Sequence, residues 1–291
     1  MTTTFDRPLA VIGGGAMAEA IVLGAQRSGV LAGPVCVADP SDDRRAVFEH
    51  AVANAGEAMH WLDGQDGDGA VMLAVKPQML EAVGEEIGGR VGERLVVSIL
   101  AGSTSERVRS AMGDACRVVR VMPNTPALIG RGTSAVSVST SATAEDGDAV
   151  EALFRGVGDV VVRVDESLMD GFTGVAGSGP AYVFYLAEAM EKAATEVGLP
   201  AEHARSIVAE TIAGAAELLR TSGDDPATLR ARVTSKGGTT AAATGVFDDA
   251  GLTDIVGWQP HGRCFVIRDP DAFCQELLPR YVANLRILPL V

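Results

Sequence analysis

The chain has 291 residues, enough for two domains with separate cores, and its 24 lysines and arginines against 38 aspartates and glutamates give a formal net charge of −14. That balance excludes nucleic acid or an anionic membrane surface as the main partner, because both require basic patches, and it leaves a local site free to bind a small anion. Hydrophobic residues are 47% of the chain and aromatic ones only 4%, so the interior must be built from alanine, valine, leucine and isoleucine.

Residues Met1 to Asp6 lack the basic and apolar regions of a signal peptide, and no run of about 18 apolar residues offers a transmembrane helix. The four cysteines, Cys36, Cys116, Cys264 and Cys274, are scattered, as reduced thiols are, and a cytoplasmic protein without membrane association is expected.

Leu9 to Ile12 reads as a buried parallel strand, and a helical pattern begins just after it. Between them Gly13, Gly15 and Ala18 fall on the G-x-G-x-x-G/A spacing. Gly13 allows a tight turn, Gly15 a close approach of backbone to a pyrophosphate, and Ala18 close packing of helix on strand. The spacing predicts a dinucleotide site at Gly13, Gly14, Gly15, Ala16 and Met17. A second strand, Val35 to Asp39, completes a strand–helix–strand unit. Asp39 lies 24 residues beyond Gly15, where an acid can accept from an adenosine ribose hydroxyl, yet Arg44 and Arg45 follow and suit a ribose 2′-phosphate. Spacing alone leaves NAD against NADP open.

Gly64 to Gly69 is a turn, and Ala70 to Val75 a strand broken by Lys76-Pro77. Leu95 to Leu100 is the next strand, ending in Ala101-Gly102, with a helix N-cap at Ser103 or Thr104. Val118 to Met122 ends at Pro123-Asn124, and Ser134 to Val138 and Val160 to Val164 add later strands. The alternation predicts a doubly wound parallel sheet over residues 1–164, with ligands beyond the carboxyl ends of its strands. Residues 165–256 change character. A helix from Pro180 to Gly198 and another over Ala201 to Ser222 are alanine-rich and bury little area alone, so association with a partner chain is expected.

Val233 to Thr240 is a second glycine-rich loop. Ser235, Gly237, Gly238, Thr239 and Thr240 open a helix and can form an anion site from backbone N–H groups, a carboxylate being one candidate.

From about residue 8 to 255 the chain resembles pyrroline-5-carboxylate reductase, which catalyses the last step of proline biosynthesis. The matching stretches are Ile12 to Ala18, Ala74 to Pro77, Ser98 to Gly102, Met122 to Pro126, Gly177 to Phe184 and Val233 to Thr240, with Lys236 where proline is usual. The resemblance implies a Rossmann-type domain followed by an all-helical dimerisation domain, and a homodimer that can assemble further. It implies hydride transfer from NADPH, or NADH, to 1-pyrroline-5-carboxylate. The cofactor would contact Gly13 to Met17, Asp39, Ala74, Val75, Lys76, Pro77, Ala101, Met122, Pro123 and Asn124. The substrate carboxylate would rest on Ser235 and the N–H groups at Gly238 and Thr239, and Thr240 would hydrogen-bond the ring nitrogen. An impaired scaffold protein and a related two-domain dehydrogenase are the alternatives; the latter needs a lysine on the long helix, where Lys192 lacks the surrounding motif.

Residues 257–291 depart from the family. Around Trp258, Pro260, Gly262 and Phe265 they look like a fragment of a heat shock factor DNA-binding domain, without its recognition helix, so no DNA binding is expected. A strand at Arg263 to Ile267 and a helix at Asp271 to Leu277 are expected. His261, Cys264 and Cys274 are one ligand short of a structural zinc site, and no metal is expected.

Overall fold

The computed structural model describes residues 4–256. The chain divides into two compact units, one ending at Pro180 and one beginning at Ala181. The expected strand, helix and cysteine–histidine cluster of the 257–291 tail lie outside the described residues.

In the first unit, strands β1 (Leu9–Ile12), β2 (Val35–Ala38), β3 (Ala51–Val52), β4 (Ala70–Leu73), β5 (Leu95–Ser98), β6 (Arg117–Met122), β7 (Thr133–Val138) and β8 (Val160–Arg163) form one sheet in the order β3-β2-β1-β4-β5-β6-β7-β8. The first six run parallel, β7 runs antiparallel to β6, and β8 runs parallel to β7. The sheet is therefore parallel only through β6. Residues 123–132, which join β6 to β7, are fewer than the roughly dozen a parallel crossover needs, so the chain turns back on itself.

Helices cover both faces, and this is why the central strands are apolar without alternation. On one face α1 (Ala16–Arg27) and α6 (Ala144–Arg155) pack over Leu9, Val11, Met72, Val97, Val119 and Val136, with Ile21, Leu153 and Phe154 filling the layer. On the other, α3 (Ala55–Asp63), α4 (Leu80–Val91) and α5 (Ser105–Met112) pack over Ala10, Ile12, Val71, Leu73, Val96 and Val118 through Met59, Ile87 and Met112. Each buried leucine or isoleucine side chain contributes about 1.5–3 kcal/mol, so two complete layers stabilise the sheet without many aromatic rings. Between β2 and β3 the helix α2 (Asp42–Arg45) is a single turn.

Local chemistry sets the helix ends. Thr104 caps α5 by accepting from the Arg107 N–H, and Thr143 with Asp146 forms a capping box on α6. Asp146 is buried and also accepts from Arg7 and Arg117 at 2.8 Å each, tying α6 to the start of the chain and to β6. After β8 comes α7 (Met169–Phe172), which continues into a π-helical turn, Thr173–Gly177.

The second unit is helical. It contains most of α8 (Gly179–Glu196), then α9 (Ala201–Thr221), α10 (Pro226–Arg232), α11 (Thr239–Asp249) and α12 (Leu252–Val256). Ala193, Ala204, Val208 and Val246 are its buried apolar residues among those described, while Phe184, Leu186, Ile207, Leu218 and Leu219 are exposed. Such faces bury too little apolar area to hold the unit together alone. No described helix is long and apolar enough to cross a membrane.

Candidate functional site

The carboxyl ends of β1, β4, β5 and β6, adjacent in the sheet, bring together four of the stretches singled out in the sequence. They are Gly13–Met17, Ala74–Pro77, Ala101 and Met122–Asn124, with Asp39 beside them at the end of β2. This is the edge at which doubly wound sheets bind ligands.

Gly13 has φ +102°, and a Cβ there would stand 2.7 Å from the Ala74 carbonyl oxygen. The turn is thus wedged against the chain leaving β4. Gly15 differs. It is the N-cap of α1 in extended backbone, a Cβ on it would meet nothing within 4 Å, and no side chain caps the helix. The N–H groups of Ala16, Met17 and Ala18 have no backbone partner among the described residues, and they stand at the positive end of the helix dipole. That cradle fits a pyrophosphate.

Asp39 turns its carboxylate onto the same loop, accepting from the Gly14 N–H at 2.8 Å and the Ser41 N–H at 2.9 Å. Lys76 is exposed and precedes a short 3-10 turn at Pro77–Met79. Ala101 is exposed beyond β5, and Pro123 and Asn124 are buried beyond β6. Asn124 uses both ends of its amide: Nδ2 donates to the Ala176 carbonyl at 3.0 Å, and Oδ1 accepts from the Thr133 N–H at 2.9 Å. A Cβ on Gly177 would lie 2.6 Å from the Met122 methyl, so the π-helical turn packs closely on the end of β6.

Nearby, Glu166 accepts from the Ser105 N–H and from the buried Arg120, both at 2.6 Å. Burial alone would raise its carboxyl pKa, but the Ser105 amide and the Arg120 guanidinium outweigh it and hold the group below the usual carboxylate range.

The second glycine-rich loop belongs to the other unit. Gly237 has φ +74°, and a Cβ on Gly238 would stand 2.5 Å from the Ser235 hydroxyl oxygen, which accounts for the paired glycines. Gly238 is the uncapped N-cap of α11. Its own N–H donates to the Ser235 carbonyl at 3.0 Å, so the donors left free among the described residues belong to Thr239, Thr240 and Ala241. Of the two amides that the family resemblance implies for the carboxylate, that of Thr239 is among the free donors and that of Gly238 is used within the loop.

Arg44, Glu19 and Phe48 also belong to the first loop. Arg44 donates to the Gly14 carbonyl at 2.6 Å and to Glu19 at 2.9 Å, and the Phe48 ring would lie 3.2 Å from a Cβ on Gly14. Of these, only Arg44 carried a signal in the sequence, as half of an arginine pair.

The fold and this glycine turn define a Rossmann-type dinucleotide-binding unit joined to a helical unit. A family model for pyrroline-5-carboxylate reductase dimerisation matches residues 166–258, and one for NADP oxidoreductase, coenzyme F420-dependent, matches residues 8–102. The chain is 35% identical over 254 residues to pyrroline-5-carboxylate reductase 2 of Bacillus subtilis, covering 86% of this chain and 90% of that one. It is 38% identical over 234 residues to the Arabidopsis thaliana pyrroline-5-carboxylate reductase, covering 79% and 83%. Among solved structures, Plasmodium falciparum pyrroline carboxylate reductase with NADP bound superposes with a TM-score of 0.76 at 25% identity, covering 86% of this chain and 93% of that one. The Streptococcus pyogenes 1-pyrroline-5-carboxylate reductase gives a TM-score of 0.75 at 27% identity, covering 86% and 94%. The chain belongs to the pyrroline-5-carboxylate reductase family.

Proposed function

We propose that this chain reduces 1-pyrroline-5-carboxylate to L-proline, the last step of proline biosynthesis, with NADPH as hydride donor and NADH as a second donor. The observation that carries the reading is similarity to a pyrroline-5-carboxylate reductase along 90% of that relative's length, together with family-model matches over residues 8–102 and 166–258, within which both glycine-opened helix N-termini fall.

The cofactor supplies a hydride from the nicotinamide C4. All else is positioning by the chain. The free amides at the start of α1 would hold the pyrophosphate, and residues at the ends of β4, β5 and β6, with Lys76, would hold the nicotinamide half. At the second loop the Ser235 hydroxyl and the Thr239 amide hold the substrate carboxylate, with the Thr240 and Ala241 amides free beside them. The Thr240 hydroxyl hydrogen-bonds the ring nitrogen. With the ring fixed at carboxylate and nitrogen, its imine carbon faces one direction only. As the carbon takes hydride, the iminium nitrogen becomes the amine of proline and its positive charge is discharged. No covalent intermediate is required, so the rate depends on orientation and electrostatics.

The acting form is a homodimer that can assemble further, in which the exposed apolar residues of α8 and α9 meet a second copy. It is a cytoplasmic protein with no nucleic acid or membrane partner. The functional test is steady-state oxidation of NADPH and NADH in parallel with pyrroline-5-carboxylate. Substrate-dependent turnover supports the reading, and cofactor binding without turnover sinks it. Sedimentation of the full chain tests the dimer.

A further inference from the structure

One carboxylate fastens together the chain beyond β5 and the end of β6. Arg120, beside Ser98 in the register of these two strands, is buried, its side chain 6% accessible, and among the described residues its one ion pair is with Glu166. Glu166 Oε1 accepts from Arg120 Nη1 and from the Ser105 N–H, both at 2.6 Å, although it lies 46 residues along the chain from the one and 61 from the other. Thr104 already serves the Arg107 N–H of α5, so the Ser105 amide, at the first position of that helix, is left to the carboxylate. The Ala101-Gly102 turn stands just before this helix, and the Met122–Asn124 turn begins two residues beyond Arg120.

The segment that carries Glu166 is held again further on, where Asn124 donates to the Ala176 carbonyl at 3.0 Å. Residues 166–176 are thus fixed at both ends to β6 and its turn, with Met169 buried between. Stability gives little reason for such a pair, because apolar groups of similar volume in place of a buried ion pair are often neutral or better. What two charge-assisted bonds to one oxygen do supply is a fixed distance between the groups that share it. Here those groups belong to the two turns assigned to the nicotinamide half.

We propose that Glu166 is a positioning residue for hydride transfer, setting the spacing between the Ala101-Gly102 turn and the Met122–Asn124 turn so that the nicotinamide is held at one depth and one tilt. It acts through Ser105 and Arg120 rather than on cofactor or substrate. The inference rests on the reductase reading given above. The pyrophosphate cradle at the end of β1 lies outside this clamp, so loosening the clamp separates rate from cofactor affinity.

Turnover with pyrroline-5-carboxylate, NADPH titration without substrate and thermal denaturation are measured on the full chain and three variants. Glu166→Ala should lower kcat about tenfold to a hundredfold while the Kd for NADPH stays within about twofold. Glu166→Gln, which keeps an oxygen for the Ser105 amide, should recover part of the rate. Arg120→Met combined with Glu166→Ala leaves no unpaired buried charge, so its melting temperature should return toward the parent's while kcat stays low. If kcat returned together with the melting temperature, the pair would be structural only and the inference overturned. An unchanged kcat in Glu166→Ala, or a loss of NADPH affinity as large as the loss of rate, would overturn it as well. Should Glu166→Ala not fold, Glu166→Gln and the double variant give the same comparison. A parent chain without turnover would instead overturn the reductase reading.

Discussion

Gly13 sits so close to Ala74 that a Cβ built on it would lie 2.7 Å from the Ala74 carbonyl oxygen, at a φ of +102°. Two glycines apart by one residue therefore do different work. Gly13→Ala should destabilise the sheet unit by on the order of 2 kcal/mol or more, through strain and collision with rigid backbone. Gly15→Ala, in extended backbone facing open space, should change stability by less than about 1 kcal/mol yet weaken NADPH binding about tenfold, since the methyl fills the approach to the pyrophosphate. Thermal denaturation and NADPH titration on the same samples check both; equal stability losses would refute the division.

Thr240 is the side chain assigned to the ring nitrogen. Thr240→Ala should lower kcat about tenfold to a hundredfold while NADPH affinity stays within about twofold. Thr240→Ser, which keeps a hydroxyl, should recover most of the loss. Unchanged turnover in Thr240→Ala would remove the hydroxyl from the reaction.

Asp146 carries a pH-dependent share of stability. Burial acts to raise its pKa, but the bonds from Arg117, the Thr143 amide and Arg7 outweigh it, and the folded pKa lies below the ordinary value. A depressed folded pKa contributes stability above the unfolded value, about 4, that is lost as pH falls toward the folded one. Melting temperature should therefore drop steeply below about pH 4 in the parent chain. Asp146→Asn should cost about 3 kcal/mol at neutral pH, because it leaves two arginines facing a neutral amide, and should flatten the acid limb. Parallel acid limbs in the two proteins would argue against this.

Cys36 and Cys116 are both buried free thiols. Burial, with Glu57 adding to it, pushes the Cys36 pKa up to about 11, and burial raises that of Cys116. At pH 8 neither presents much thiolate, so alkylation of the native chain followed by peptide mapping should leave both unlabelled, with labelling appearing on denaturation. Rapid native labelling of Cys36 would show that the sheet opens around β2.

Strongly patterned elements were legible in the sequence. β1 with α1, the strands at Ala70, Leu95 and Arg117, and helices α8 and α9 all announce themselves by apolar runs or glycine and proline punctuation. The reversal of β7 was not legible, because a strand buried on both faces has the same composition in either direction. Only the shortness of residues 123–132 hints at it. β3, two residues long, and α2, a single turn, fall below the length at which periodicity speaks. α3 was hidden by the weak pattern of Ala55 to Asp63. Of the candidate site, the glycine loops could be read because Gly13, Gly237 and Gly238 answer local steric or backbone demands and Gly15 completes the spacing. The attachment of Arg44 to Gly14, 30 residues away, could not, because nothing local requires it.

The amide of Asn124 bridges stretches of chain 9 and 52 residues distant. One small side chain thus locks the turn after β6, the first residue of β7 and the π-helical turn before Gly177 into a single mechanical piece. Any tilt of the chain at the π-helical turn must either carry the Met122–Asn124 turn with it or break the hydrogen bond from the Asn124 amide to the Ala176 carbonyl. The exit from one unit and the wall of the proposed nicotinamide pocket are, in that sense, one lever.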